Sequence, residues 1–171
     1  QLDLTAGIRR TEDDRETEIV QAAGAAAGGA LQPGVYETEY GKTNYTLIAS
    51  YTFSEELMAY AKVATGYGAG GVMSSIPHGP EEVESYEAGM KSQFLDNRLR
   101  VNAVAFFMDY TDLQVQTFID GVQNFQNAGE AEITGLELEV DAVPIDGLTL
   151  SGTLGWTDFE YQEFLMGGVD M

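Results

Sequence analysis

Apolar and polar residues alternate with a period of two in about seven stretches of this chain. That is the pattern of a strand with two unlike faces. In Leu148–Thr157 one face is Leu148, Leu150, Gly152, Leu154 and Trp156, and the other is Thr149, Ser151, Thr153, Gly155 and Thr157. Leu136, Leu138, Val140 and Ala142 oppose Glu137, Glu139 and Asp141. Arg98–Phe107, Tyr86–Phe94 and Asn44–Phe53 repeat the pattern, with Ile48 interrupting the polar side of the last. Leu57–Ala64 alternates as well, and Leu2, Leu4, Ala6 and Ile8 stand opposite Asp3, Thr5, Gly7 and Arg9. Most of these runs reach roughly nine residues, where an average strand has about five or six. A length of about 9–11 residues is what a tilted strand needs to cross a bilayer.

The connections alternate too. Ser54–Glu56, Asp96–Asn97 and Pro144–Gly147 are short, whereas Asp13–Gly41, Gly66–Glu81 and Phe118–Asn127 are long. Short turns on one side and long loops on the other mark an outer-membrane β-barrel. Strands starting at Leu2, Leu57, Leu99 and Leu148 then run outward, and those starting near Lys42, Val83 and Ala128 run inward. Phe53 and Phe94 fall at the short-turn ends, and Tyr67, Phe107, Tyr110 and Trp156 toward the long-loop ends, as two aromatic girdles would. The alanine-rich run Ala22–Ala30 carries Gly24, Gly28 and Gly29 and is expected to be loop rather than helix. The expected fold is all-β: an antiparallel up-and-down transmembrane barrel wall of about seven strands. Alternation alone also suits a soluble all-β binding module.

Charge narrows the partners. With 28 Asp+Glu against 8 Lys+Arg the net charge is −20, which argues against nucleic acid and against an anionic membrane surface. There is no cysteine, hence no disulfide framework and no thiolate metal site. No apolar run is long enough for a transmembrane helix, and no signal peptide is visible. Both ends read as cut from something longer.

Thr65–Gly71 (TGYGAGG) contains G-x-G-x-x-G, with Gly66, Gly68 and Gly71 in the glycine places. A phosphate cradle needs a helix after the glycines. Val72–Glu82 instead has two prolines and no helical period, so the stretch reads as a turn at a strand end, and no cofactor is implied.

Four longer pieces resemble the C-terminal barrel part of TonB-dependent outer-membrane receptors: Leu4–Asp14, Tyr51–Gly71, Glu81–Gln116 and Asn127–Tyr161. The resemblance covers most of the chain, in order, and leaves out the long loops. It implies a wall segment of a plugged barrel of about 22 strands, in the outer membrane of a Gram-negative bacterium. It implies uptake of a scarce nutrient, foremost a ferric siderophore or other iron complex, powered by the TonB complex and without chemistry on the ligand. Residues 1–171 are then part of the barrel domain, with the plug, the TonB-contacting motif and the aromatic closing strand lying elsewhere. Lipid and lipopolysaccharide are the expected surroundings.

Candidate sites are few. Tyr67, His78, Phe118 and Phe125 fall in or beside the external loops and are the residues expected to line a ligand vestibule. His78 is the single histidine, and metal sites want several such ligands. Thr11–Glu18 is acidic but lacks the spacing and glycine of an EF-hand loop. Glu137, Glu139 and Asp141 suit a water-facing lumen wall or a plug contact, and Arg10 a surface or lipopolysaccharide contact. Ser74 and Ser75 lie near His78 without a nucleophile elbow, so an outer-membrane enzyme is the weaker alternative.

Overall fold

The computed structural model describes residues 1–20, 33–73, 76–119, 122–127, 129–166 and 169–170. Among them the chain forms strands and no helix: β1 (Leu2–Ile19), β2 (Gly34–Ser54), β3 (Leu57–Gly68), β4 (Gly71–Met73), β5 (Ile76–His78), β6 (Glu81–Phe94), β7 (Leu99–Thr111), β8 (Gln114–Ile119), β9 (Val122–Asn127), β10 (Gly129–Ile145), β11 (Leu148–Met166) and β12 (Val169–Asp170). The run Ala22–Ala30 and the serines Ser74 and Ser75 lie outside the described residues.

Eight strands make one sheet in the order β1-β2-β3-β6-β7-β10-β11-β12. Each pairs antiparallel with its neighbours. Two small hairpins, β4–β5 and β8–β9, stand outside the sheet. The seven long strands are those expected from the alternation, joined up and down.

The register assembles the alternation into two faces. Leu4, Ala49, Ala61, Ala88, Ala105, Leu136 and Trp156 form one apolar row across all seven long strands. The opposite face carries Lys62 against Glu87 (2.9 Å), Asn102 donating to Glu139 (2.9 Å) and Arg100 near Asp141 (3.6 Å). A soluble sandwich would bury the apolar row under a second layer. Here Leu4 is 75% exposed, Leu154 69% and Trp156 54%, and Ala131 is the one fully buried apolar side chain among the described residues. A single layer with its apolar side bare matches the outward apolar band of a barrel wall. On β2 the apolar stretch runs from Tyr45 to Phe53, about 27 Å of strand. Once tilted, that approaches the ~25 Å band of a barrel wall. Ser92 sits on this face, buried, with its hydroxyl donating to the Val101 carbonyl at 2.6 Å, so this polar group is satisfied within the wall.

The tight ends follow turn chemistry. Gly147 takes φ +84 between β10 and β11, and Leu95, Asp96 and Asn97 are all left-handed between β6 and β7. Asp and Asn adopt that region readily, and leucine only at a cost. The Leu95 carbonyl accepts from Arg98 N at 3.1 Å, which helps hold the turn. Within the sheet, Gly89 and Gly135 lie under the rings of Tyr60 and Phe106. A Cβ there would come within 2.5 Å and 2.2 Å of ring carbons.

The long connections differ from a plain loop reading. β1 continues to Ile19 and β2 begins at Gly34, paired residue for residue from Thr11↔Lys42 to Ile19↔Gly34. The acidic Thr11–Glu18 is therefore strand. Gly66–Glu81 contains β4–β5, and Phe118–Asn127 falls within β8–β9. Beyond the lipid band both faces meet water, so hydrophobic alternation fades while backbone pairing goes on.

Candidate functional site

The site begins where the sheet parts. β2 and β3 pair only from Ser54↔Leu57 to Thr46↔Ala64, yet β1–β2 runs on to Gly34 and β3–β6 to Gly68. Beyond Thr46 the two strands diverge, and side chains cross the gap. Tyr45 N donates to Thr65 Oγ1 at 3.0 Å and Tyr45 OH to Glu84 Oε1 at 2.8 Å. Lys42 pairs with Glu82, and the Tyr67 hydroxyl donates to Asp13. That bond, the largest cause, raises the Tyr67 pKa above its usual value, because ionising the phenol would put it beside a carboxylate.

A cavity of about 370 Å³ lies at this parting, lined by Arg9, Thr11, Asp13, Arg15, Asn44, Gly66, Tyr67 and Ala69. Arg9 and Arg15 share the polar face of β1 with Thr11 and Asp13 by the period of the strand. Arg10 points the other way, paired in register with Thr43, and is exposed beside Glu12 at 3.4 Å.

Above the cavity the two hairpins are tied together by amide side chains. Asn127 Oδ1 accepts from Gly79 N at 2.6 Å, and its Nδ2 donates to the carbonyls of Gly79 (3.0 Å), Pro80 (3.3 Å) and Asp112 (2.8 Å). Gln114, opposite Asn127 in the β8–β9 pair, donates to Gly79 O at 3.0 Å and Ala69 O at 3.2 Å. Side chains thus satisfy carbonyls that no strand partner reaches.

The expected vestibule residues divide. His78 and Phe125 come together, ring centroids 5.5 Å apart. The His78 carbonyl accepts from Tyr40 OH at 2.9 Å, and Nδ1 is buried without a partner. Burial, and secondarily the Arg15 charge, lower the His78 pKa. Tyr67 belongs to the cavity below. Phe118 stands apart on β8, 68% exposed. Arg9, Arg15, Gln114 and Asn127 did not stand out in the sequence. Their roles depend on register and on backbone carbonyls, which composition does not display. Among the described residues no group of carboxylates and histidine is placed to hold a metal.

A family model described as TonB dependent receptor-like, beta-barrel, matches residues 1–170. The pesticin receptor of Yersinia enterocolitica is 27% identical over 150 residues, covering 81% of this chain and 21% of the receptor. The crystal structure of the ferric yersiniabactin uptake receptor FyuA from Yersinia pestis superposes with a TM-score of 0.75 at 22% identity, over 94% of this chain and 24% of that one. The ferric-catecholate import receptor Fiu of E. coli K12 gives 0.63 at 20% identity, over 95% of this chain and 26% of that one. The chain spans about a fifth to a quarter of the length of these proteins.

Proposed function

The chain belongs to the TonB-dependent receptor-like β-barrel family, and from that premise we propose that it walls a receptor importing a ferric siderophore or another iron complex. The family places it in the outer membrane of a Gram-negative bacterium, and its members are receptors rather than enzymes. The observation that carries the reading is the apolar row from Leu4 to Trp156, backed by a polar face of Lys62, Glu87, Asn102 and Glu139. One side suits lipid, and the other suits water and a plug. The parting of β2 and β3, with its cavity and clamped hairpins, supports a ligand-receiving end.

In this reading an N-terminal plug domain, encoded outside these residues, fills the lumen and is pulled by the TonB complex. Arg10 and Glu12 lie just beyond the lipid band, where lipopolysaccharide headgroups stand. An iron cargo is favoured because FyuA is a ferric yersiniabactin receptor and Fiu a ferric-catecholate one.

The test is uptake by the intact receptor in iron-starved cells with and without TonB. Iron-55 accumulation from a ferric chelate that needs both the receptor and TonB is the expected result. Equal accumulation without TonB, or growth rescued only by a cargo free of iron, would remove the iron-uptake reading.

A further inference from the structure

The chain has 8 Lys+Arg among 28 Asp+Glu, so carboxylates are never scarce. Arg10, Lys42, Lys62, Arg98 and Arg100 each take one, within 4 Å. Lys91 lies over the Tyr60 ring at 5.7 Å. Arg9 and Arg15 alone have neither kind of partner among the described residues, and both line the same cavity at the parting of β2 and β3. The carboxylate between them, Asp13, is occupied by the Tyr67 hydroxyl.

We infer that Arg9 and Arg15 form an anion seat and that the cargo is an anionic complex, one that presents carboxylate, catecholate or phosphate oxygens. This rests on the uptake reading and names the substrate class of that site. Two guanidiniums offer forked donors matched to such oxygens. Asn44 and Thr11 add neutral donors in the same cavity. Gly66 and Ala69 complete the lining with small residues, and a Cβ on Gly71 would sit 3.7 Å from Arg15 Nη1, so Arg15 reaches the base of the β4–β5 hairpin. With a net charge of −20, the chain repels free anions, so a local cationic pair is where an anionic cargo gains most over the surrounding field. Arg10, one residue away on the other face, pairs with Glu12 and serves as the internal control.

The experiment uses the full-length receptor in detergent and in cells. Its probes are iron-55 chelates of one size class: a triply charged tricatecholate and a neutral trihydroxamate. The iron-free tricatecholate and inorganic phosphate complete the set. Expected is salt-sensitive binding that favours the charged chelate. R9Q or R15Q should each weaken it about tenfold, and the pair ~100-fold, as loss of charge-assisted hydrogen bonds predicts. R9K/R15K should restore it in part, and R10Q should leave it unchanged. Binding of the neutral chelate equal to that of the charged one, or binding indifferent to R9Q/R15Q, overturns the seat while TonB-dependent uptake still stands. Arginine-dependent binding of phosphate or the iron-free chelator, with no iron uptake, keeps the seat and removes the iron reading.

Discussion

Between Thr46 and Tyr51, β2 has a strand on each side, β1 and β3; between Gly34 and Tyr45 it is paired with β1 alone. The lower region is held by continuous ladders and by lipid against its apolar row. The upper region is held by discrete side chains: Lys42 on Glu82, Tyr45 on Glu84, Tyr40 on the His78 carbonyl, and Asn127 and Gln114 on the hairpin carbonyls. A wall in lipid cannot leave a backbone group unpaired. A rim in water can, and it gains freedom to open a cavity. The two regions should therefore fail differently when perturbed.

The sharpest break is a charge on the lipid side. Leu138 pairs with Ala103 and Leu154 on the apolar face, while Thr153 faces Glu139 on the other. Leu138→Arg should cost about 2–4 kcal/mol near the bilayer midplane and lower the amount of assembled receptor in outer-membrane fractions. Thr153→Arg gains an acidic neighbour and should assemble normally. Equal loss from both would mean that the faces are assigned wrongly.

The rim should break locally. Asn127→Ala removes four hydrogen bonds at once and leaves hairpin carbonyls short of donors. A cost of about 1–3 kcal/mol is expected, confined to β4–β5 and β8–β9. Amide exchange or protease nicking at Gly79 and Asp112 should rise, with the thermal unfolding of the wall unmoved. A drop in whole-barrel stability of the same size would mean that rim and wall form one cooperative unit.

The sequence legibility of the two regions parts along the same line. Leu136–Ala142 and Leu148–Thr157 read directly as two-faced strands because lipid on one side and water on the other impose the period of two. The strand extensions at Thr11–Ile19 and Gly34–Tyr40 were hidden, since Glu16↔Glu37 and Arg15↔Thr38 are polar pairs with no unlike faces to contrast. Gln114 and Asn127 looked like any loop amides, for the carbonyls they bind come from residues 15 to 48 positions away. Arg9 and Arg15 carry the right period for one face. That neither has a carboxylate partner among the described residues emerges only once the other cations have found their own partners in space.

His78 gives the smallest expected effect and the finest test of the rim's independence. Its folded pKa lies below the ordinary value of 6.5, chiefly through burial and secondarily through Arg15. The unfolded hairpin therefore takes up a proton first as pH falls. The contact of His78 with Phe125 and Tyr40 is fully favourable above about pH 6.5. It weakens as pH drops from there toward the lower folded pKa and loses nothing more beneath it. Local exchange at β5 and β9 should rise over that acid window, and His78→Gln should flatten the profile. The wall's own amides should show no matching step, because the described charges nearest this histidine belong to Arg15 and not to the lipid-side rows. A step of equal size at Ala88 or Ala105 would carry the proton's effect into the ladder and erase the distinction between the two regions.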